Sequence, residues 1–123
     1  MKKIYFLLLS LFLFSCSSTL DVRDNQEPDD PNFSYLALGD SYTIGESVLE
    51  TDRWPVQLVE QLRVRGYKMA APKIIAKTGW TTEDLLREIE NELNIQRDFD
   101  LVSILIGVNN QYQGKRISEY EED

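Results

Sequence analysis

A chain of 123 residues with 13 basic and 21 acidic side chains has room for one domain. Its net charge of −8 argues against a nucleic-acid partner, because phosphate binding needs a basic face. One cysteine excludes an internal disulfide framework. Without histidine, a zinc site is disfavoured and no Ser-His or Cys-His pair can be assembled from these residues. Hydrophobic content of 42% is too high for a disordered tail and suits a globular fold.

The first sixteen residues read MKKIYFLLLSLFLFSC. Lys2 and Lys3 form a positive start, and Ile4 to Phe14 form an apolar run broken only by Ser10. That run is too short for a bilayer-spanning helix, which takes about 20 residues, and it has the order of a secretory signal. Leu13-Phe14-Ser15-Cys16 resembles a bacterial lipobox, with Cys16 as the acylated first residue of the mature protein. The expectation is a signal over 1–15, removed on export, and a domain lipid-anchored through Cys16 in the bacterial cell envelope. The bland alternative is a buried N-terminal strand ending in a structural cysteine. Removing 1–15 takes away two lysines and brings the charge to about −10. Residues 16–31 (CSSTLDVRDNQEPDDP) are acidic, with few large apolar groups, and read as a flexible tether.

The domain is expected over 32–123. Phe33 to Leu38 (FSYLAL), stopped by Gly39-Asp40, has the pattern of a buried strand. Thr51 or Asp52 can cap a following helix, with Pro55 in its first turn. Trp54, Leu58 and Leu62 form one stripe on that helix, and Gly66 ends it. Lys73 to Ala76 (KIIA) is a second strand. Thr81-x-x-Asp84 has the form of a capping box, and the helix it opens carries Leu85, Leu86, Ile89 and Leu93 on one face. Leu101 to Ile106 (LVSILI) is almost wholly apolar, as expected of a strand covered on both faces. Another helix starts near Ser118. This alternation predicts a parallel α/β sheet of flavodoxin-like order, the first strand lying between the second and third, with one helix on each face.

Ligands of such a sheet bind beyond the carboxyl ends of the strands. Three polar turns fall there: Gly39-Asp40-Ser41-Tyr42, Lys77-Thr78-Gly79-Trp80 and Gly107-Val108-Asn109-Asn110. A serine hydroxyl at a strand end can attack a carbonyl, and the resulting oxyanion needs fixed donors about 3 Å away. The Ser41 and Gly79 backbone N–H groups and the Asn109 amide are suitable donors, and glycines at 39, 79 and 107 allow close backbone approach. Singly, each signal is ordinary turn chemistry: Asp40 can bond its own turn, and Tyr42 and Trp80 suit packing. Their joint occurrence at successive strand ends carries the weight.

Leu38-Gly39-Asp40-Ser41-Tyr42-Thr43-Ile44-Gly45 resembles the first block of the SGNH/GDSL hydrolases, a family of serine esterases and lipases. Gly79 matches the second-block glycine, and Gly107-Val108-Asn109 the third-block glycine and asparagine. The resemblance covers roughly residues 33–123. It implies Ser41 as nucleophile, with Ser41, Gly79 and Asn109 forming the oxyanion hole, acting on a small-molecule ester without metal or organic cofactor. Asn110 stands where the family often has Asp, which bears on the loop more than on the oxyanion donor. The family's catalytic Asp and His, three residues apart, belong to a later block with no counterpart here, and Arg97, Asp98 and Asp100 do not replace them. The sequence thus reads as the N-terminal part of a hydrolase, truncated after the third strand and inactive by itself. The competing expectation is a non-catalytic surface lipoprotein whose sheet binds a ligand or partner.

Overall fold

The computed structural model describes residues 27–92 and 98–123. The expected export signal, Cys16, the expected tether up to residue 26, Leu93 and Arg97 lie outside the described residues. Among the described residues, no helix is long and apolar enough to cross a membrane.

Strands β1 (Tyr35–Gly39), β2 (Lys73–Ala76) and β3 (Leu101–Leu105) form one parallel sheet in the order β2-β1-β3. The predicted central position of the first strand is therefore observed. Two helices, α2 (Trp54–Val64) and α3 (Thr82–Asn91), pack on opposite faces. Side chains alternate across a strand, and β1 divides its residues accordingly. Tyr35 and Ala37 join Val59 of α2 and Met69 in one buried cluster, with Trp54, Leu58 and Leu62 packed against it. Leu36 and Leu38 join Ile75 of β2 and Leu85 of α3 in the other, with Trp80, Ile89 and Phe99 alongside. The expected α2 stripe thus faces the core.

Four local expectations need correction. The first strand begins at Tyr35, and Phe33 makes only an isolated bridge to Met69. Neither Thr51 nor Asp52 caps α2. They belong to a 3-10 turn over Glu50–Asp52, and Arg53 occupies the cap position without a side-chain bond. Leu86 is 40% exposed, because the cluster on that face draws in Leu85 and Ile89. Strand β3 is not covered on both faces: Val102 and Ile104 are 54% and 66% exposed. Among the described residues it is an edge strand, with β1 as its partner on one side.

The capping box of α3 forms as expected. The Thr81 hydroxyl accepts from the Asp84 N–H at 3.4 Å, and the Asp84 carboxylate accepts from the Thr81 N–H at 3.0 Å. These bonds, the backbone one foremost, hold the Asp84 carboxyl below the ordinary carboxylate range. Near the domain's start, the Glu27 carboxylate accepts from the Ala71 N–H at 3.0 Å. The Asn32 N–H donates to the Lys68 carbonyl, which fastens the chain beside the β2 entrance.

Candidate active site

The three strands end level with one another. Gly39 pairs with Ala76 on one side and with Leu105 on the other. Neighbouring strands in a sheet lie about 4.8 Å apart, so the segment leaving β1 emerges between the segments leaving β2 and β3. Ser41 follows β1 by two residues, Gly79 follows β2 by three, and Asn109 follows β3 by four. The sheet therefore delivers all three to one end of the domain.

Ser41 opens a single-turn helix, α1 (Ser41–Ile44). Asp40 is buried and caps that turn, its carboxylate accepting from the Tyr42 N–H at 3.0 Å. The turn is closed by Gly45, whose N–H donates to the Ser41 carbonyl. The Ser41 hydroxyl has no hydrogen-bond partner among the described residues and is half-buried, while Tyr42 is 63% exposed beside it. Gly39 is required by packing: a Cβ there would run into Thr43 Oγ1 and into the Leu105 carbonyl oxygen at 2.5 Å. Its close approach serves the join of β1, α1 and β3, not a ligand. At Gly79 the demand is conformational, since φ is +85° and no atom lies within 4 Å of a Cβ placed there.

Hydrogen bonds tie the three segments together. Asn109 lies in a short helix, α4 (Val108–Tyr112), where the sequence had suggested a turn. Its Nδ2 donates to the Trp80 carbonyl at 2.9 Å, which fixes the amide next to the Gly79 loop. A primary amide has two N–H donors, so one remains for a ligand. Gln113 Nε2 donates to the Gly79 carbonyl at 3.2 Å and holds the same loop from α4's far end. The Thr78 hydroxyl donates to the Glu46 carboxylate, joining the second loop to the segment after α1.

Asn110 is the residue whose role the sequence understated. It is buried, and its Oδ1 accepts from the Thr82 N–H at 3.0 Å while its Nδ2 donates to the Thr82 hydroxyl at 2.7 Å. The side chain thereby locks α4 to the first turn of α3. Its position next to Asn109 was visible in the sequence, but its distance in sequence from Thr82 hid the partner. Gln113 was missed for the same reason. Further out, Lys115 pairs with Glu83 at 2.7 Å. That contact, with Arg87 behind it, lowers the Glu83 carboxyl and raises the Lys115 ammonium. A helix, α5 (Ile117–Glu122), follows and places Tyr120 against Gly107.

A serine just after the middle strand of a parallel α/β sheet is thus flanked by the segment of a left-handed glycine after β2 and that of an amide after β3. Residues 37–123 match the family of GDSL-like lipases and acylhydrolases, and the chain belongs to that family. Among solved structures, it is similar to AlinE4, an esterase of the SGNH-hydrolase family, at 26% identity and a TM-score of 0.67. Two mutants of the same esterase match at 26% identity and a TM-score of 0.64. The alignment covers 77% of this chain and 50% of AlinE4, so the chain spans about half the esterase's length. No curated protein matches the sequence.

Proposed function

We propose that these residues carry the nucleophile and oxyanion-binding half of a serine ester hydrolase. The observation that supports this best is the level ending of the three strands, which sets Ser41 between the Gly79 and Asn109 segments. In this reading Ser41 Oγ attacks the ester carbonyl carbon and gives up its proton to a base. The carbonyl oxygen becomes an oxyanion and accepts from the Ser41 N–H, the Gly79 N–H and the second N–H of Asn109 Nδ2. Collapse of the tetrahedral species expels the alcohol and leaves an acyl-serine, which water then hydrolyses. Asp40 and Asn110 position Ser41 and Asn109 without touching the reacting atoms.

The base is not among these residues, because the chain contains no histidine. The family resemblance assigns it to a later Asp-x-x-His block. General-base assistance contributes typically ~10²–10⁴ in rate, so the 123-residue chain should show no measurable turnover of p-nitrophenyl acetate. An extended protein carrying that block should hydrolyse it. In the extended protein Ser41→Ala should abolish activity, and Asn109→Ala should lower kcat by ~10²–10³. Full activity in the extended Ser41→Ala protein would overturn the nucleophile assignment.

The second reading is a non-catalytic surface lipoprotein whose sheet binds a ligand or partner. An extended protein that binds but never hydrolyses would establish it. In either reading the domain is exported and lipid-anchored through Cys16. Labelled palmitate should enter the wild type and not Cys16→Ala, and equal labelling of both would refute the anchor.

A further inference from the structure

The loop after β2 is a β-turn whose middle peptide makes no hydrogen bond among the described residues. The Trp80 N–H donates to the Lys77 carbonyl at 3.2 Å, which closes a four-residue turn over 77–80. Gly79, third in that turn, has φ +85°, and Thr78 before it is not among the residues of positive φ. That combination is a type II turn. Types I and II differ in the orientation of the middle peptide, here the one joining Thr78 to Gly79. Its N–H belongs to Gly79. A flip of this peptide would carry the N–H to the opposite face of the turn and leave the closing bond in place.

The groups around that peptide are held from both sides. Gln113 Nε2 donates to the Gly79 carbonyl, so the peptide joining Gly79 to Trp80 is bonded at its C=O as well as at its N–H. The next carbonyl, that of Trp80, accepts from Asn109 Nδ2. The two amide side chains stand one helical turn apart, and the Gln113 N–H donates to the Asn109 carbonyl at 2.9 Å. On the other side, the Thr78 hydroxyl donates to the Glu46 carboxylate, and the Glu46 N–H donates to the Ser41 carbonyl at 3.0 Å. A connected path therefore runs from Ser41 through Glu46, Thr78, Gly79 and Gln113 to Asn109. Glu46, Thr78 and Gln113 are all exposed and belong to neither buried cluster, so packing does not account for their contacts.

We propose that Glu46, Thr78 and Gln113 are positioning residues that hold the Gly79 turn in its type II form and so fix the direction of the Gly79 N–H. This rests on the reading of Gly79 as an oxyanion donor given above. Fixed donors stabilise an oxyanion because they need no reorientation at the moment of reaction. A peptide that can flip meets that condition only when its neighbours oppose the flip. Thr78 is restrained through its side chain, and the peptide after Gly79 is restrained at both ends. None of the three residues touches the reacting atoms.

Two measurements separate the turn from the chemistry. In the 123-residue chain, NMR reads the turn itself. A strong Overhauser effect from the Thr78 Hα to the Gly79 N–H marks type II, and one between the Thr78 and Gly79 N–H protons marks type I. The wild type should show the first. Gln113→Glu, which removes the donor to Gly79, and Thr78→Val, which removes the hydroxyl, should each move the turn toward type I, whereas Thr78→Ser should not. In the extended protein, Gln113→Glu and Thr78→Val should each lower kcat for p-nitrophenyl acetate about tenfold, part of the ~10²–10³ lost with a whole donor. KM should stay within about twofold, because the oxyanion forms only in the transition state. Thr78→Ser should keep the wild-type kcat. A turn that stays type II in both disruptive variants would overturn the proposal, and so would an unchanged kcat in an extended protein that Ser41→Ala inactivates. Full activity after Ser41→Ala would overturn the reading of the site itself, and the positioning role would fall with it even where the turn shifts as expected.

Discussion

Strands β1 and β3 have similar apolar sequences and opposite environments. All five residues of β1 (YLALG) are buried, whereas in β3 (LVSIL) none is. The reason is position: among the described residues, β1 has a strand on each side and a helix on each face, while β3 pairs with β1 on one side. An apolar strand therefore marks membership of a parallel sheet, and its neighbours decide whether it is covered. The candidate site follows the same division. Ser41 follows the buried middle strand and Asn109 follows the exposed one.

The largest expected effect is a core truncation in β1. Leu36→Ala should cost about 2–5 kcal/mol, as buried leucine-to-alanine changes do, read by urea denaturation of the chain. Ile104→Thr on β3 should change stability by no more than about 0.5 kcal/mol, the range for exposed positions. An apolar edge invites pairing with other chains, so the same threonine should reduce self-association in light scattering. Equal costs at the two strands would break the comparison.

Next in size is the clamp between the edge segment and α3. Asn110→Ala leaves the buried Thr82 N–H without an acceptor, at a cost of roughly 1–3 kcal/mol, while the Thr82 hydroxyl keeps its bond to the Asp123 carboxylate. Asn110→Asp should recover only part of this loss, because its carboxylate still accepts from the Thr82 N–H but sets a second acceptor against the Thr82 hydroxyl that already donates to Asp123. Equal losses in the two variants would show that the Thr82 N–H contact is not what the clamp supplies.

A smaller effect is expected at the α3 cap, where Thr81→Ala should cost about 0.5–2 kcal/mol. Asp84 gives this site a pH signature. Its folded carboxyl is held below the ordinary range by the Thr81 N–H, so its stabilising contribution is present at neutral pH and is lost as the pH falls below about 4. Asp84→Asn should flatten that acid limb in thermal melts. Tyr35 acts at the other extreme, since burial raises its phenol against the opposing bond from Ser103. A raised folded value means stability held at neutral pH and lost as the pH climbs past about 10, where the unfolded phenol ionises. Tyr35→Phe should lessen the alkaline loss.

Much of this molecule was legible in the chain order of its residues. Alternating short apolar runs and amphipathic stretches implied a parallel sheet, and Thr81 with Asp84 marked a helix start through bonds only three residues long. The Gly-Asp-Ser turn was equally readable, because Asp40 caps it locally. These features depend on neighbours in sequence, where backbone geometry leaves few choices. Tertiary structure decided the rest: that Gly39 is fixed by Thr43 and Leu105, that Asn110 belongs to Thr82, that Asn109 is aimed by the Trp80 carbonyl, and that β3 is an uncovered edge. Most of these contacts join residues 28 to 66 positions apart, and sequence periodicity carries no information about which distant groups will meet.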